Sequence, residues 1–81
     1  MWIPYELDSP GSVSIEIYNL AGQLVQTLAV GMQQRGRYVH KGQAAYWDGR
    51  TESGQPVTSG VYFYKLMHGD FVATRKMVIL K

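Results

Sequence analysis

Apolar and polar residues alternate with a period of two along most of this chain. In Ser12-Val13-Ser14-Ile15-Glu16-Ile17-Tyr18, residues Val13, Ile15 and Ile17 share one face and Ser14 and Glu16 the other. That pattern predicts a strand half buried against a core. Ile3 to Leu7 reads as a short first strand, placed at an edge because Pro4 brings no ladder donor. Asp8-Ser9-Pro10-Gly11 has the chemistry of a turn. Gly22 can take the positive φ of a hairpin between this strand and Leu24 to Val30. The Leu24/Leu28 spacing allows a helical turn, but β-branched residues and short length favour a strand. Gly31 to Gly36, polar and punctuated by glycine, predicts a loop. Arg37 to Val39 and Gln43 to Trp47 predict two further strands, followed by a long turn over Asp48 to Pro56. Val57 to Met67 reads as a strand broken near Ser59-Gly60, His68-Gly69-Asp70 as a tight reversal, and Phe71 to Leu80 as the last strand. Six or seven short strands with turns every roughly 8–12 residues predict an all-β antiparallel sandwich or small barrel.

Val61-Tyr62-Phe63-Tyr64-Lys65-Leu66-Met67 departs from clean alternation, being apolar or aromatic on both faces. Either Tyr62, Tyr64 and Leu66 face the core, or Val61, Phe63 and Met67 do. The uncovered face asks for a loop, a parent-protein domain or a partner. Five residues have fold-making chemistry. Trp47 is a large apolar anchor at a strand end. Asp48 can accept backbone donors in its own turn, and Gly49 permits the bend. Gly60-Val61-Tyr62 suits a corner in which the tyrosine hydroxyl ties back to nearby backbone.

Eighty-one residues suffice for one domain over residues 1–81, with a thin core. A hydrophobic share of 46% is too high for a disordered segment. The longest apolar runs, such as Met77 to Leu80, are too short to span a bilayer. The first residues lack a signal peptide's basic and apolar regions, so an exported protein would carry its signal on a longer chain. With no cysteine, a disulfide framework and thiolate metal sites are excluded. The net charge of +2 is spread over Arg35, Arg37, Lys41, Arg75, Lys76 and Lys81. A nucleic-acid binder concentrates its cations on one stripe, so no nucleic-acid partner is expected.

Chemical constellations are sparse. His40 and His68 are the only imidazoles, and neither sits in a nucleophile elbow, a phosphate loop or a His-Glu-x-x-His motif. Enzymatic activity is not expected. Asp48, Glu52 and Asp70 are the candidate oxygen ligands, without the alternating acids of a calcium loop. No cofactor is implied. Trp2, Tyr5, Tyr38, Tyr46, Trp47, Tyr62, Phe63 and Tyr64 could stack on sugar rings, although a small sandwich uses such residues chiefly as core. Lys65 and Lys76 are the candidate lysines for an isopeptide cross-link, which requires a buried acid beside them, and the sequence carries no specific sign of one.

The ordered set Tyr5-Glu6-Leu7, Val13 through Val25, Trp47-Asp48-Gly49-Arg50, Ser59 through Tyr64 and Thr74 through Lys81 resembles the FlgD Ig-like family and the overlapping C-terminal sorting domains of the type IX secretion system. Two departures stand out: Asp8 replaces the usual proline after Glu-Leu, and Tyr38 to Tyr46 is longer than usual. That stretch is either a surface loop with a binding role or a longer hairpin. The resemblance implies an Ig-like, fibronectin III-like sandwich acting as a non-catalytic C-terminal module of a larger bacterial protein, secreted or held at the cell surface. It implies protein partners, either secretion machinery or parent-protein domains. The candidate recognition hairpin comprises Val61, Phe63, Lys65, Arg75, Lys76, Met77 and Lys81. Structural assembly, as in flagellar hook capping, and carbohydrate binding are the alternatives.

Overall fold

A computed structural model describes residues 1–81. Eight strands, all pairing antiparallel, form two layers. They are β1 (Trp2–Ile3), β2 (Tyr5–Leu7), β3 (Gly11–Asn19), β4 (Leu24–Gln33), β5 (Gly36–Tyr38), β6 (Ala45–Tyr46), β7 (Gly60–His68) and β8 (Phe71–Ile79). One layer is a four-stranded sheet of order β4-β3-β7-β8. The other is thin, built from the β1–β6 and β2–β5 ladders. The chain is an all-β, Ig-like sandwich.

Alternation explains the packing. Val13, Ile15 and Ile17 of the central strand β3 are buried, with Ser14 and Glu16 on the opposite face. Against them lie Ile3, Tyr5, Leu7, Ala45 and Trp47 from the thin layer, joined by Val57, Tyr62, Leu66 and Ile79. Register settles the two-faced strand. Ile15 pairs with Leu66 and Ile17 with Tyr64, so Tyr62, Tyr64 and Leu66 turn inward, and Val61, Phe63 and Met67 outward.

Several boundaries move from their sequence positions. Pro4 divides the expected first strand, and its halves pair with different partners, Trp2 with Tyr46 and Tyr5 with Tyr38. A proline cannot donate to a ladder, and it lies where the 39–44 segment leaves the pairing. That segment turns on His40, whose carbonyl accepts from the Gln43 and Ala44 N–H groups. The sixth strand consequently shrinks to two residues. The loop expected over Gly31 to Gly36 is mostly strand: Gly31, Met32 and Gln33 continue β4 opposite Val13, Ser12 and Gly11. Pairing with the central strand overrides the polar, glycine-rich composition. Val57 lies outside β7 but is buried in the same core, its N–H bonding the Gly49 carbonyl. The β7–β8 reversal uses two residues, with Gly69 at φ 58 in the first turn position, where a side chain is strained.

Trp47 is wholly buried. Its Nε1–H donates to the Arg50 carbonyl at 2.9 Å, and its ring meets Tyr62 edge-on at 6.1 Å. The Tyr62 hydroxyl donates to the Thr58 carbonyl at 2.9 Å, fastening the approach to β7. Trp47→Ala is expected to cost about 3–5 kcal/mol, most of the stability of so small a domain. Tyr62→Phe removes one hydrogen bond and is expected to cost about 1 kcal/mol. Urea unfolding checks both: the Tyr62→Phe midpoint falls while its slope stays unchanged.

Tyr5 stacks on Tyr38 with centroids 4.7 Å apart. Burial, and secondarily the neighbouring Tyr38 phenol, push the Tyr5 phenol above its ordinary value of 10.0. The folded state therefore favours protonated Tyr5. This contribution is complete below pH 10.0 and is lost as pH rises through the higher folded value. Stability measured against pH is expected to fall in that alkaline range, and Tyr5→Phe to remove that part of the fall.

Candidate recognition surface

The β7–β8 hairpin is held by nine paired positions, from Gly60 opposite Ile79 to His68 opposite Phe71. Because side chains alternate, this register divides the sequence-derived recognition set between two faces. Val61, Phe63 and Lys65 are on the outer face, joined by Lys76, which pairs with Phe63. Arg75 and Met77 lie opposite Tyr64 and Tyr62, which places them on the inner side. Met77 packs against the core. Lys81 follows the strand, its N–H donating to the Ser59 hydroxyl at 2.8 Å. The set therefore does not form one patch. It wraps the free edge of β8, with Arg75 on one side and Lys76 on the other.

The outer face carries a small polar cluster. The Tyr18 hydroxyl donates to Glu16 Oε1 at 2.8 Å, and Lys65 Nζ approaches the same oxygen at 3.9 Å. Lys65 also lies 5.9 Å from the Tyr18 ring centroid. The bond to Glu16, followed by burial, raises the Tyr18 phenol above its ordinary value. Glu16 and Lys65 are cross-strand neighbours on β3 and β7, so this cluster secures register. Around it, Phe63 and Val61 are half-buried, and Leu24 and Val78 are exposed.

Sequence reasoning missed the inner side of the β8 edge. There the thin layer stops short of the sheet and leaves an open groove of about 380 Å³. Tyr5 and Glu6 form one wall, and Tyr64, Phe71, Ala73 and Arg75 form the other. Phe71 is exposed despite its size. The two-residue reversal was the available signal: with His68 opposite Phe71, parity alone puts Phe71, Ala73 and Arg75 on the inner face. Arg75 Nη1 donates to the Thr74 carbonyl at 3.1 Å, and no carboxylate pairs with it. The two ion pairs of the protein, Arg37–Glu6 and Lys65–Glu16, involve no residue of β8.

The remaining candidates take structural places. Asp48 Oδ1 accepts the Arg50 N–H at 3.0 Å, and Gly49 bends the chain with φ 75. Gly60 opens β7. Asp48, Glu52 and Asp70 are not gathered, and no group of three histidine or acidic side chains is placed to hold a metal. His68 stacks over Gly11, where a Cβ would stand 2.6 Å from its Nε2. No acid is buried, so neither Lys65 nor Lys76 has the partner an isopeptide bond requires. Of the aromatics proposed for sugar stacking, Tyr5, Trp47 and Tyr62 are core. Trp2 and Tyr46 are exposed but spend a face on each other at 4.9 Å.

What this arrangement can do is present edges and faces to another polypeptide. Comparison with known proteins agrees with that reading. No curated protein and no solved structure matches the chain. Residues 3–69 match the FlgD Ig-like domain family, whose modules are generally non-enzymatic. The match ends in the β7–β8 reversal and leaves β8 outside it. On a match spanning more than half its length, the chain belongs to the FlgD Ig-like domain family.

Proposed function

We propose that this domain is a docking module that carries a parent protein to secretion machinery or to the cell surface, in the manner of a type IX C-terminal sorting domain. One observation carries the reading. The free side of the nine-residue edge strand β8 presents the N–H and C=O groups of alternate residues with no partner strand beside an open groove, with Arg75 and Lys76 on its two sides and no acid paired to either. Free strand edges accept an added strand, with backbone bonds supplying affinity and side-chain pockets supplying specificity. The fitting partner is an extended segment bearing carboxylates, since an uncompensated cationic edge steers and orients acidic strands.

Structural assembly, the role implied by flagellar hook capping, is the second reading. The family match itself favours it. A parent gene among flagellar genes supports assembly, whereas a parent with a signal peptide and an enzyme or adhesin domain supports sorting.

Removing Val78 to Lys81 from the parent protein is expected to abolish its export or surface retention. That deletion also removes the buried Ile79, so a charge reversal isolates recognition from folding. Arg75→Glu with Lys76→Glu alters two exposed side chains and is expected to reduce the exported fraction roughly tenfold at unchanged thermal stability. Export at the normal level with both variants would overturn the sorting role.

A further inference from the structure

The two mouths of the sandwich differ in what their edge strand can accept. Beside β4 runs a second groove, of about 530 Å³, with Tyr46 and Ala45 across from Leu28 and Val30. The β3–β4 ladder, however, shifts register twice, leaving Val30 and Val25 without partners on β3. Bulges twist an edge away from an added strand. The β7–β8 ladder has no such break, its pairs running in step from Gly60–Ile79 to His68–Phe71. The two-residue reversal makes His68 and Phe71 a hydrogen-bonded pair. Phe71, Ala73, Arg75 and Met77 therefore bond to β7. Val72, Thr74, Lys76 and Val78 direct their N–H and C=O groups outward.

One of those outward groups is already engaged. The Thr74 carbonyl accepts from Arg75 Nη1 at 3.1 Å. A strand added at this edge needs that carbonyl for its own N–H, so it must displace the guanidinium. A displaced cation left without a partner disfavours binding, whereas an incoming carboxylate receives it in a charge-assisted bond. The next inner position differs. Ala73 is small and half-buried between the exposed Phe71 and Arg75, and Pro4 and Tyr5 stand across the groove of about 380 Å³. Glu6, the one acid on the groove wall, is paired with Arg37 at 2.9 Å. In an added antiparallel ladder Ala73 and Arg75 take the non-hydrogen-bonded positions, where opposed side chains come closest.

We propose that the β8 edge reads a two-position signature in an added antiparallel strand, a carboxylate opposite Arg75 and a large apolar side chain opposite Ala73. The inference rests on the docking role proposed above and names the sequence which that role selects. The direction is antiparallel because every ladder of this protein is, and such pairing is the more stable per residue. An antiparallel strand passes Arg75 before Ala73, so its signature reads acid-x-apolar from its own amino end. The carboxylate draws the guanidinium off the Thr74 carbonyl and frees it for the backbone ladder. The apolar side chain fills the space over Ala73, against Tyr5 and Phe71. A strand without the acid leaves Arg75 unpaired, and one without the apolar group leaves the groove wet. Each mismatch penalises the wrong partner.

Two synthetic peptides of identical composition and blocked termini test the signature, Thr-Thr-Thr-Glu-Thr-Phe-Thr-Thr-Thr and Thr-Thr-Thr-Phe-Thr-Glu-Thr-Thr-Thr. Each is titrated into the isotope-labelled 81-residue chain and followed by amide NMR. The acid-first peptide is expected to shift the Thr74 and Lys76 amides and to bind roughly fivefold more tightly than the other. Arg75→Gln, at an exposed position, is expected to abolish that preference at unchanged thermal midpoint. Ala73→Leu, which fills the space, is expected to abolish it from the neighbouring position. Equal affinities, a preference for the apolar-first peptide, discrimination that survives Arg75→Gln, or no shift at Thr74 with either peptide overturns the signature. Failure here is separable from failure of the docking role. Export lost in the Arg75→Glu/Lys76→Glu parent without peptide discrimination overturns the signature alone. Discrimination together with normal export of that variant upholds the signature and overturns the sorting role.

Discussion

The contact between Trp47 and the inner face of β3 is what makes two layers into one domain. Val13, Ile15 and Ile17 present a continuous apolar face, and the layer opposite has almost no backbone pairing of its own. Its ladders involve two residue pairs in one case and three in the other, too few for independent stability. Side chains must therefore hold it in place. Trp47 does so from several directions at once. Its backbone exchanges hydrogen bonds with Met1, its indole N–H reaches Arg50, and its ring meets Tyr62 at the entry to β7. A single residue thus couples the amino terminus, the 48–56 turn and the central sheet.

The thinness of the second layer also determines what the surface can offer. A layer so narrow cannot cover a four-stranded sheet from edge to edge, so both mouths of the sandwich remain open, one beside β8 and one beside β4. A small domain buries a lesser share of its surface than a large one, and of the large apolar residues left exposed, Leu24, Met32, Phe71, Val72 and Val78 lie on the two edge strands. The two edges carry opposite chemistry. One is basic and lies beyond the family match; the other is neutral and lies within it. The domain's imidazoles lie in or beside turns, and membership in an Ig-like family accords with interaction through protein surfaces in general.

Much of the fold was legible in the residue pattern, because alternation and turn chemistry are local properties. The β3 face, the hairpin reversal at Gly69, the tyrosine at the start of β7 and the burial of Trp47 all follow from residues within a few positions of each other. The failures share a cause. Gly31 to Gln33 looked like loop from composition, yet pairing with Gly11 to Val13, some twenty positions away, makes it strand. Pro4 marked an edge by its missing donor, but the division of the strand between two partners depends on the 39–44 excursion far along the chain.

The recognition residues show the same boundary. Sequence alone identified the last hairpin, its cations and its doubly apolar strand. Only tertiary structure decided that Arg75 and Lys76 straddle an edge rather than share a patch, because cross-strand register assigns each side chain its face. The grooves were invisible beforehand for a stronger reason: each is a gap between two sheets, and its walls come from segments that no local pattern relates. What the sequence by itself determined was which faces are apolar and where the chain turns. Which faces are covered, and which edges stay free, was decided by the size of the opposing layer.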